Sequence, residues 1–146
     1  MASIRRQILI DASPAQVWDA LRDWSALHER LVPRFAVSTE VHGRDRVVTF
    51  FNGTVYRERI VEVDERSRRL VWSIVDGPYQ HHNASAQVLE AAGGRTAFVW
   101  IADLLPDEAA ARTRGSMDQA LEIIKRTFET ADSDAQGAPA GDAGWS

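Results

Sequence analysis

The chain has 146 residues, of which 45% are hydrophobic, and this length and composition suit one domain with a substantial core. Its net charge is −4 and it has no basic cluster or arginine-rich arm, so nucleic acid is not an expected partner. It contains no cysteine, which excludes disulfides and thiolate chemistry, and it has no apolar run of membrane-spanning length, so we expect a cytoplasmic protein.

The N-terminal part of the sequence predicts one strand followed by two short helices. Residues 4–10 alternate isoleucines with polar residues, which is typical of a strand with one buried face. Residues 13–16 have the pattern of an N-cap serine, a first-turn proline and a glutamine that closes a capping box. A second short helix is expected over about 25–32, ending before Pro33.

Six further strands are predicted after these helices, and their short connections indicate an antiparallel meander. Turn residues separate the strands, and the clearest turns are Asn52-Gly53, which is typical of a two-residue hairpin, and Gly93-Gly94. The predicted strands are residues 35–41, 46–51, 54–63, 69–75, 82–90 and 96–105.

The longest predicted element is a C-terminal helix over residues 107–130, which Pro106 and the acidic residues after it favour as a start. Gly115 interrupts this helix, and three explanations stay open: close approach to the sheet, a bend, or an ordinary surface position. The apolar stripe with helical spacing consists of Met117, Leu121, Ile124 and Phe128. A single long helix needs a sheet on which to pack, so we predict an α+β fold.

The sequence divides into one folded domain and a tail. Residues 1–130 carry the periodic apolar patterns described above. Residues 131–146 consist mainly of Asp, Ser, Gly and Ala with one terminal tryptophan, and such a segment buries too little apolar surface to offset its ordering entropy. We therefore predict a disordered C-terminal tail over residues 131–146.

Five segments carry a resemblance to a known family, over about residues 3–130. They are residues 12–18, 57–64, 70–74, 76–83 and 103–107. With the order of elements, they resemble the START-like helix-grip (SRPBCC) superfamily, most closely its polyketide cyclase/dehydrase and lipid-transport branch. The resemblance implies a curved antiparallel sheet of about seven strands wrapped around the C-terminal helix, with an elongated hydrophobic cavity between them. The superfamily includes carriers, cyclases, hydrolases, receptors and co-chaperones, so the resemblance assigns no activity.

Glu58 is the carboxylate of greatest chemical interest. If Ile60 faces the helix, the two-residue period of a strand turns Tyr56 and Glu58 toward the same face. A carboxylate in an apolar cavity can act as an acid, a base or a ligand anchor, and in the related plant receptors a Glu on the matching strand lines the ligand pocket. Alternatively, Glu58 pairs with an arginine or faces water. We expect Glu58→Gln to weaken the binding of a polar-headed ligand without unfolding the domain.

Tyr79, His81 and His82 follow a glycine and a proline in a loop that resembles the cavity gate of the family. Adjacent histidines on a strand point to opposite faces, so they make a poor metal site, and the other two histidines have no useful spacing to them. We therefore expect gate or surface histidines and neither a metal nor another cofactor.

The tryptophans are candidates for both core and cavity. Trp72 is in register with apolar neighbours and is expected to face the cavity. Trp18 and Trp24 are expected on different sides of the first helix, so that at most one of them belongs to the core. Trp100 lies on a strand with two apolar faces, so its direction stays open, and an apolar outer face there would suit a homodimer.

Three functions of different classes follow from these features. The first is a soluble carrier or binding protein for a small hydrophobic molecule, such as a polyketide, an aromatic compound or a lipid. The second is a polyketide cyclase or dehydratase in which Glu58 transfers protons, assisted by Tyr56 or Tyr79. The third is an interaction protein without a ligand, such as a co-chaperone or dimer. The predicted ligand-binding residues are Tyr56, Glu58, Ile60, Trp72, Ile74, Tyr79, His81, Ala84, Ala86, Val88, Trp100, Met117, Leu121 and Ile124.

Overall fold

Seven antiparallel strands form one curved sheet, as predicted, in the order β1-β7-β6-β5-β4-β3-β2. The computed structural model describes the backbone of residues 1–135 and the side chains of residues 1–130. The strands are β1 (Ala2–Ile10), β2 (Ala36–His42), β3 (Asp45–Phe50), β4 (Val55–Asp64), β5 (Arg69–Ile74), β6 (His81–Glu90) and β7 (Thr96–Leu105). Each predicted strand is present, and its ends differ from the predicted ones by at most two residues.

Helix α1 (Pro14–Leu21) begins with the predicted capping box. The Gln16 backbone N–H donates to Ser13 Oγ at 3.2 Å, and the Ser13 backbone N–H donates to Gln16 Oε1 at 3.2 Å. These two bonds satisfy backbone donors that a helix N-terminus leaves without partners, so a short helix begins at a defined residue.

The predicted second short helix is present, but it is not a regular α-helix. It consists of a 3₁₀ turn at Trp24–Ala26 and a single π-helical turn at Leu27–Leu31. Because α1 ends at Leu21, Trp24 lies outside the helix, and its direction does not follow from its spacing to Trp18. Both tryptophans are buried. The expectation that at most one of them belongs to the core is therefore wrong.

A 3₁₀ turn at Asp107–Ala109 leads into the long helix α2 (Ala110–Ala135), which packs across the concave face of the sheet. The helix continues five residues beyond its predicted end, and the rest of the predicted tail, residues 136–146, lies outside the described residues. At Gly115 a Cβ atom would meet nothing within 4 Å, so the glycine occupies an ordinary surface position, and close approach to the sheet is ruled out.

Polar contacts fix α2 against the edge strand β1. Arg6 Nε donates to Asp118 Oδ1 at 2.7 Å, and Lys125 Nζ donates to the backbone oxygen of Leu9 at 2.9 Å. The buried residues of α2 face the sheet, and they include Met117, Ala120, Leu121 and Ile124. The helix is thus held along one edge of the sheet, and the space under its first half is left for the site described next.

Candidate functional site

A cavity of about 260 Å³ lies between the concave face of the sheet, the turns after α1 and the first half of α2. Protein interiors rarely contain voids larger than a water molecule, so a hollow of this size is a distinct feature of the fold. Most of its wall is apolar. The apolar lining residues include Leu21, Leu27, Leu31, Leu70, Trp72, Ile74, Phe98, Trp100, Met117 and Ile124.

The cavity opens between the β3–β4 hairpin and α2. Phe51 and Asn52 on the hairpin and Arg112, Ser116 and Gln119 on the helix line the cavity and are exposed. Phe51 retains 54% of its accessible surface, which is unusual for a phenylalanine. The mouth therefore has an aromatic side and a polar side.

Aromatic rings form a continuous row from the mouth of the cavity to its interior. Consecutive ring centroids are between 4.9 and 6.2 Å apart, and the pairs are edge-to-face or tilted, as aromatic rings prefer. In order from the mouth, the row consists of Phe51, Phe35, Phe50, Tyr56, Tyr79 and His82. A flat aromatic ligand would meet matching ring faces and edges along this row.

The loop between β5 and β6 packs on this row and is tied to α2. Gly77 has φ +83°, and a Cβ atom there would lie 2.9 Å from Cε1 of Tyr56, so only glycine fits this position. The Tyr79 hydroxyl and Thr113 Oγ1 share a hydrogen bond of 2.7 Å. Burial raises the pKa of Tyr56, which keeps its hydroxyl protonated. The loop thus covers one side of the cavity, and its role as a gate stays a prediction.

Glu58 lines the cavity and also pairs with an arginine, so two of the alternatives considered for it are present together. Arg46 lies opposite it on β3, and Arg46 Nε and Nη2 each lie 2.8 Å from Glu58 Oε1. The Arg46 and Glu58 side chains retain only 4% and 7% of their accessible surfaces. Arg46 also donates to the Trp24 backbone oxygen at 3.2 Å, and its Cζ lies 3.6 Å from the centre of the Trp24 ring.

The two oxygens of Glu58 have different surroundings. Both Arg46 contacts reach Oε1, and among the described residues no hydrogen bond reaches Oε2. Oε2 is also not among the fully buried polar atoms without partners, so it retains some accessible surface, and Glu58 is a lining residue of the cavity. Burial lowers the pKa of the Arg46 guanidinium, but its contacts with Glu58 act in the opposite direction. The site therefore contains a buried ion pair in which one carboxylate oxygen has no hydrogen-bond partner among the described residues.

His82, rather than His81, faces the cavity. The Ile74 backbone N–H donates to His82 Nδ1 at 3.0 Å, which places the proton of the neutral ring on Nε2. Burial, and to a smaller extent the neighbouring His81, lowers the pKa of His82 to about 4, so the ring is neutral at physiological pH. His82 is therefore a neutral N–H donor in the cavity wall.

Trp100 faces the cavity, which resolves the direction that the sequence left open. Its ring lies 6.1 Å from the ring of Trp72, and its indole Nε1 is buried without a hydrogen-bond partner among the described residues. The outer face of β7 is left with Val99 and Ile101, which are buried and half-buried within the chain itself. Nothing about this face indicates a homodimer.

The predicted site residues fall into three groups. Nine line the cavity: Tyr56, Glu58, Trp72, Ile74, Tyr79, Ala86, Trp100, Met117 and Ile124. Four belong to the surrounding core without lining the cavity: Ile60, Ala84, Val88 and Leu121. His81 is exposed and lies outside the lining. His82 shares the strand face of Ala84 and Ala86, and this two-residue period was the available signal that His82 points inward.

Sequence reasoning missed the Arg46 side of the ion pair and the phenylalanines of the mouth.

Within the described part of the chain, no group of three or more His, Asp or Glu side chains is placed to hold a metal ion. None of the helices described combines the length and the hydrophobicity that a membrane span requires.

Comparison with solved structures finds the same fold in distant relatives. XoxI from Bacillus cereus is 22% identical over 90% of this chain and 99% of its own, with a TM-score of 0.82. The di-domain ARO/CYC protein BexL is 16% identical over 88% of this chain and 47% of its own, with a TM-score of 0.74. A START superfamily protein from Mycobacterium smegmatis is 11% identical over 88% of this chain and 98% of its own, with a TM-score of 0.68.

These identities are low enough that the likenesses establish the fold and not an activity. No curated protein matches the chain. The family profile described as polyketide cyclase/dehydrase and lipid transport matches residues 1–129, which is most of the sequence. The chain therefore belongs to the polyketide cyclase/dehydrase and lipid-transport family and has its START-like fold.

Proposed function

We propose that the protein binds one small, largely apolar molecule in its cavity and acts as a carrier or sensor for it. The observation that carries this proposal is a hollow of about 260 Å³ that opens to the surface and is lined mainly by apolar side chains. Ligand sites generally combine an apolar wall with a small number of placed polar groups. The family description, which names polyketides and lipid transport, supports a ligand of this class.

The size of the cavity narrows the range of ligands. Ligand pockets usually measure about 300–1,000 Å³, so this cavity of about 260 Å³ lies just below that range. A molecule of one or two rings suits it better than a long acyl chain or a four-ring polyketide. The row of aromatic side chains that ends at His82 also favours a flat aromatic ligand, because aromatic rings pack well against one another in edge-to-face or offset arrangements.

A cyclase or dehydratase is the second candidate, and the likeness to BexL is the observation that favours it. Such an enzyme needs a group that gives and takes a proton. Glu58 is held by a guanidinium, which does not release its proton in proteins, and His82 Nδ1 is occupied by the Ile74 N–H. We therefore rank binding above proton transfer. A cytoplasmic location and a homodimer stay predictions.

Native mass spectrometry of the freshly purified protein tests the proposal, because a co-purified molecule would give the mass of the ligand. Displacement of an apolar fluorescent dye provides a second measurement. Ala86→Leu fills the cavity, while Ala15→Leu makes the same change on an exposed face of α1 as a matched control. We expect Ala86→Leu to lose dye binding and Ala15→Leu to keep it. A protein that carries no ligand, binds no dye and does not respond to Ala86→Leu would refute the proposal.

A further inference from the structure

We infer that Glu58 and His82 together recognise the two polar groups of one ligand. Glu58 Oε2 accepts a hydrogen bond from a ligand hydroxyl, and His82 Nε2–H donates one to a ligand carbonyl. This inference rests on the proposed binding function and names its ligand class, which is a small hydroxylated aromatic ketone. Both residues of the pair line the cavity.

The sheet places the two residues on either side of Ile74. Glu58 on β4 is the register partner of Ile74 on β5, and the Ile74 backbone N–H binds the His82 ring on β6. Neighbouring strands are about 4.8 Å apart, so the Cα atoms of Glu58 and His82 are about 10 Å apart. All three side chains line the cavity, which gives an apolar floor between two polar ends.

The Glu58 end can only accept a hydrogen bond. Arg46 occupies Oε1, whereas Oε2 keeps some accessible surface and has no hydrogen-bond partner among the described residues, and Glu58 lines the cavity. An ionised carboxylate has no proton to donate, so the ligand must donate here. Arg46 already balances the charge, and burying a further cation beside a balanced pair is costly. A neutral hydroxyl therefore suits this end better than an ammonium group.

The His82 end can only donate a hydrogen bond. The Ile74 N–H occupies Nδ1, so Nε2 carries the proton, and Nε2 has no hydrogen-bond partner among the described residues. Burial lowers the pKa of His82 to about 4, which keeps the ring neutral near pH 7. An N–H donor needs an acceptor on the ligand, and a carbonyl oxygen provides one without adding charge.

A ligand that lacks either group leaves a desolvated polar atom without a partner, and that penalty is the source of selectivity. Four matched probes separate the two ends: para-hydroxyacetophenone carries both groups, para-methoxyacetophenone lacks the donor, para-ethylphenol lacks the carbonyl, and para-ethyltoluene lacks both. Amide NMR titration of the full chain measures the affinity of each probe and reports whether the cavity residues respond.

We expect the hydroxyketone to bind most tightly. Losing the hydroxyl should weaken binding about tenfold or more, because that hydrogen bond involves a charged acceptor. Losing the carbonyl should weaken it about three- to tenfold, because the bond to His82 is neutral.

Two variants of His82 separate its role toward the ligand from its role toward Ile74. In His82→Asn, the side-chain oxygen lies where Nδ1 was and still accepts from the Ile74 N–H, but nothing replaces Nε2. In His82→Gln, the amide reaches the position of Nε2 and keeps a donor, but the bond to Ile74 is lost. We expect His82→Asn to bind para-hydroxyacetophenone and para-ethylphenol equally, and His82→Gln to keep the preference for the ketone while unfolding more easily.

Each result distinguishes this inference from the proposed function. Affinities of the four probes within about twofold of each other would overturn the donor–acceptor assignment, although the occupied cavity would still support a binding protein. A His82→Asn variant that keeps the full preference for the ketone would remove His82 from the assignment. If none of the probes perturbs the cavity residues, the inference fails, while the dye measurement decides separately whether the proposed binding function stands.

Discussion

Glu58→Gln should destabilise the domain by about 3 kcal/mol, because it leaves Arg46 as a buried charge without its counter-ion. The Arg46 side chain retains 4% of its accessible surface, so water does not replace the lost carboxylate. Breaking a buried ion pair on one side costs about 3–5 kcal/mol. Arg46 keeps its bond to the Trp24 oxygen and its position over the Trp24 ring, and glutamine retains one acceptor, so we expect the lower end of that range.

Urea unfolding followed by tryptophan fluorescence measures this cost as a change in the free energy of unfolding. For a chain of this length the midpoint of thermal unfolding should fall by roughly 10 °C. Glu62→Gln is the matched control, since Glu62 lies exposed on the same strand, and its effect should stay within about 0.5 kcal/mol. The double variant Arg46→Met with Glu58→Leu removes both charges and should recover to within about 1 kcal/mol of the parent.

A Glu58→Gln variant as stable as the Glu62→Gln control would refute this reasoning, because Arg46 would then not depend on its partner. The structure has also changed our expectation for this substitution. The sequence suggested that Glu58→Gln would weaken binding and leave the fold intact, but the ion pair makes the same residue part of the core. Ligand affinities measured on this variant would therefore combine two effects.

Three further predictions follow from single positions. Burial lowers the pKa of His82 to about 4, whereas a histidine in the unfolded chain titrates near 6.5. The unfolded state therefore takes up the proton first, and a stability contribution of about 3 kcal/mol, complete above about pH 6.5, should be lost as the pH falls toward 4; an identical pH dependence of urea unfolding in His82→Asn would contradict this. Gly115→Ala should stabilise the domain by about 1 kcal/mol, because the helix gains propensity and the new methyl group meets open space; a loss of stability in the same assay would show a hidden contact. Gly77→Ala should cost more stability than Gly43→Ala, because both residues have positive φ but only the Gly77 methyl group would collide with Tyr56; equal costs in thermal unfolding would mean that the loop is free to move away.

Local sequence patterns determined the elements and most of their faces. The capping box at residues 13–16 and the helical stripe that contains Met117 depend on residues within a few positions of each other, so they can be recognised without knowing the fold. The alternation of β5 likewise placed Trp72 correctly in the cavity wall. The prediction for Trp24 failed because it assumed that the first helix extends to this residue, whereas α1 ends at Leu21.

The pairing of Glu58 was decided by the register between strands. The Phe50 backbone N–H bonds the Thr54 oxygen at 2.8 Å, so the β3–β4 hairpin has a three-residue loop and not the predicted two-residue one. A two-residue loop would have placed Val47 opposite Glu58, whereas the observed loop places Arg46 there. A shift of one residue exchanges the two faces of a strand. The one additional loop residue therefore decides whether Glu58 forms an ion pair or remains an unpaired carboxylate in an apolar cavity.

The sequence by itself determined the family of fold, the order of its strands and helices, and which faces of them are apolar, because these properties depend on the period of neighbouring side chains. Only the tertiary structure decided that a hollow of about 260 Å³ remains between sheet and helix and that Arg46 neutralises Glu58. Those properties depend on how side chains from distant segments fill a shared space and on register across strands, and no local pattern encodes either.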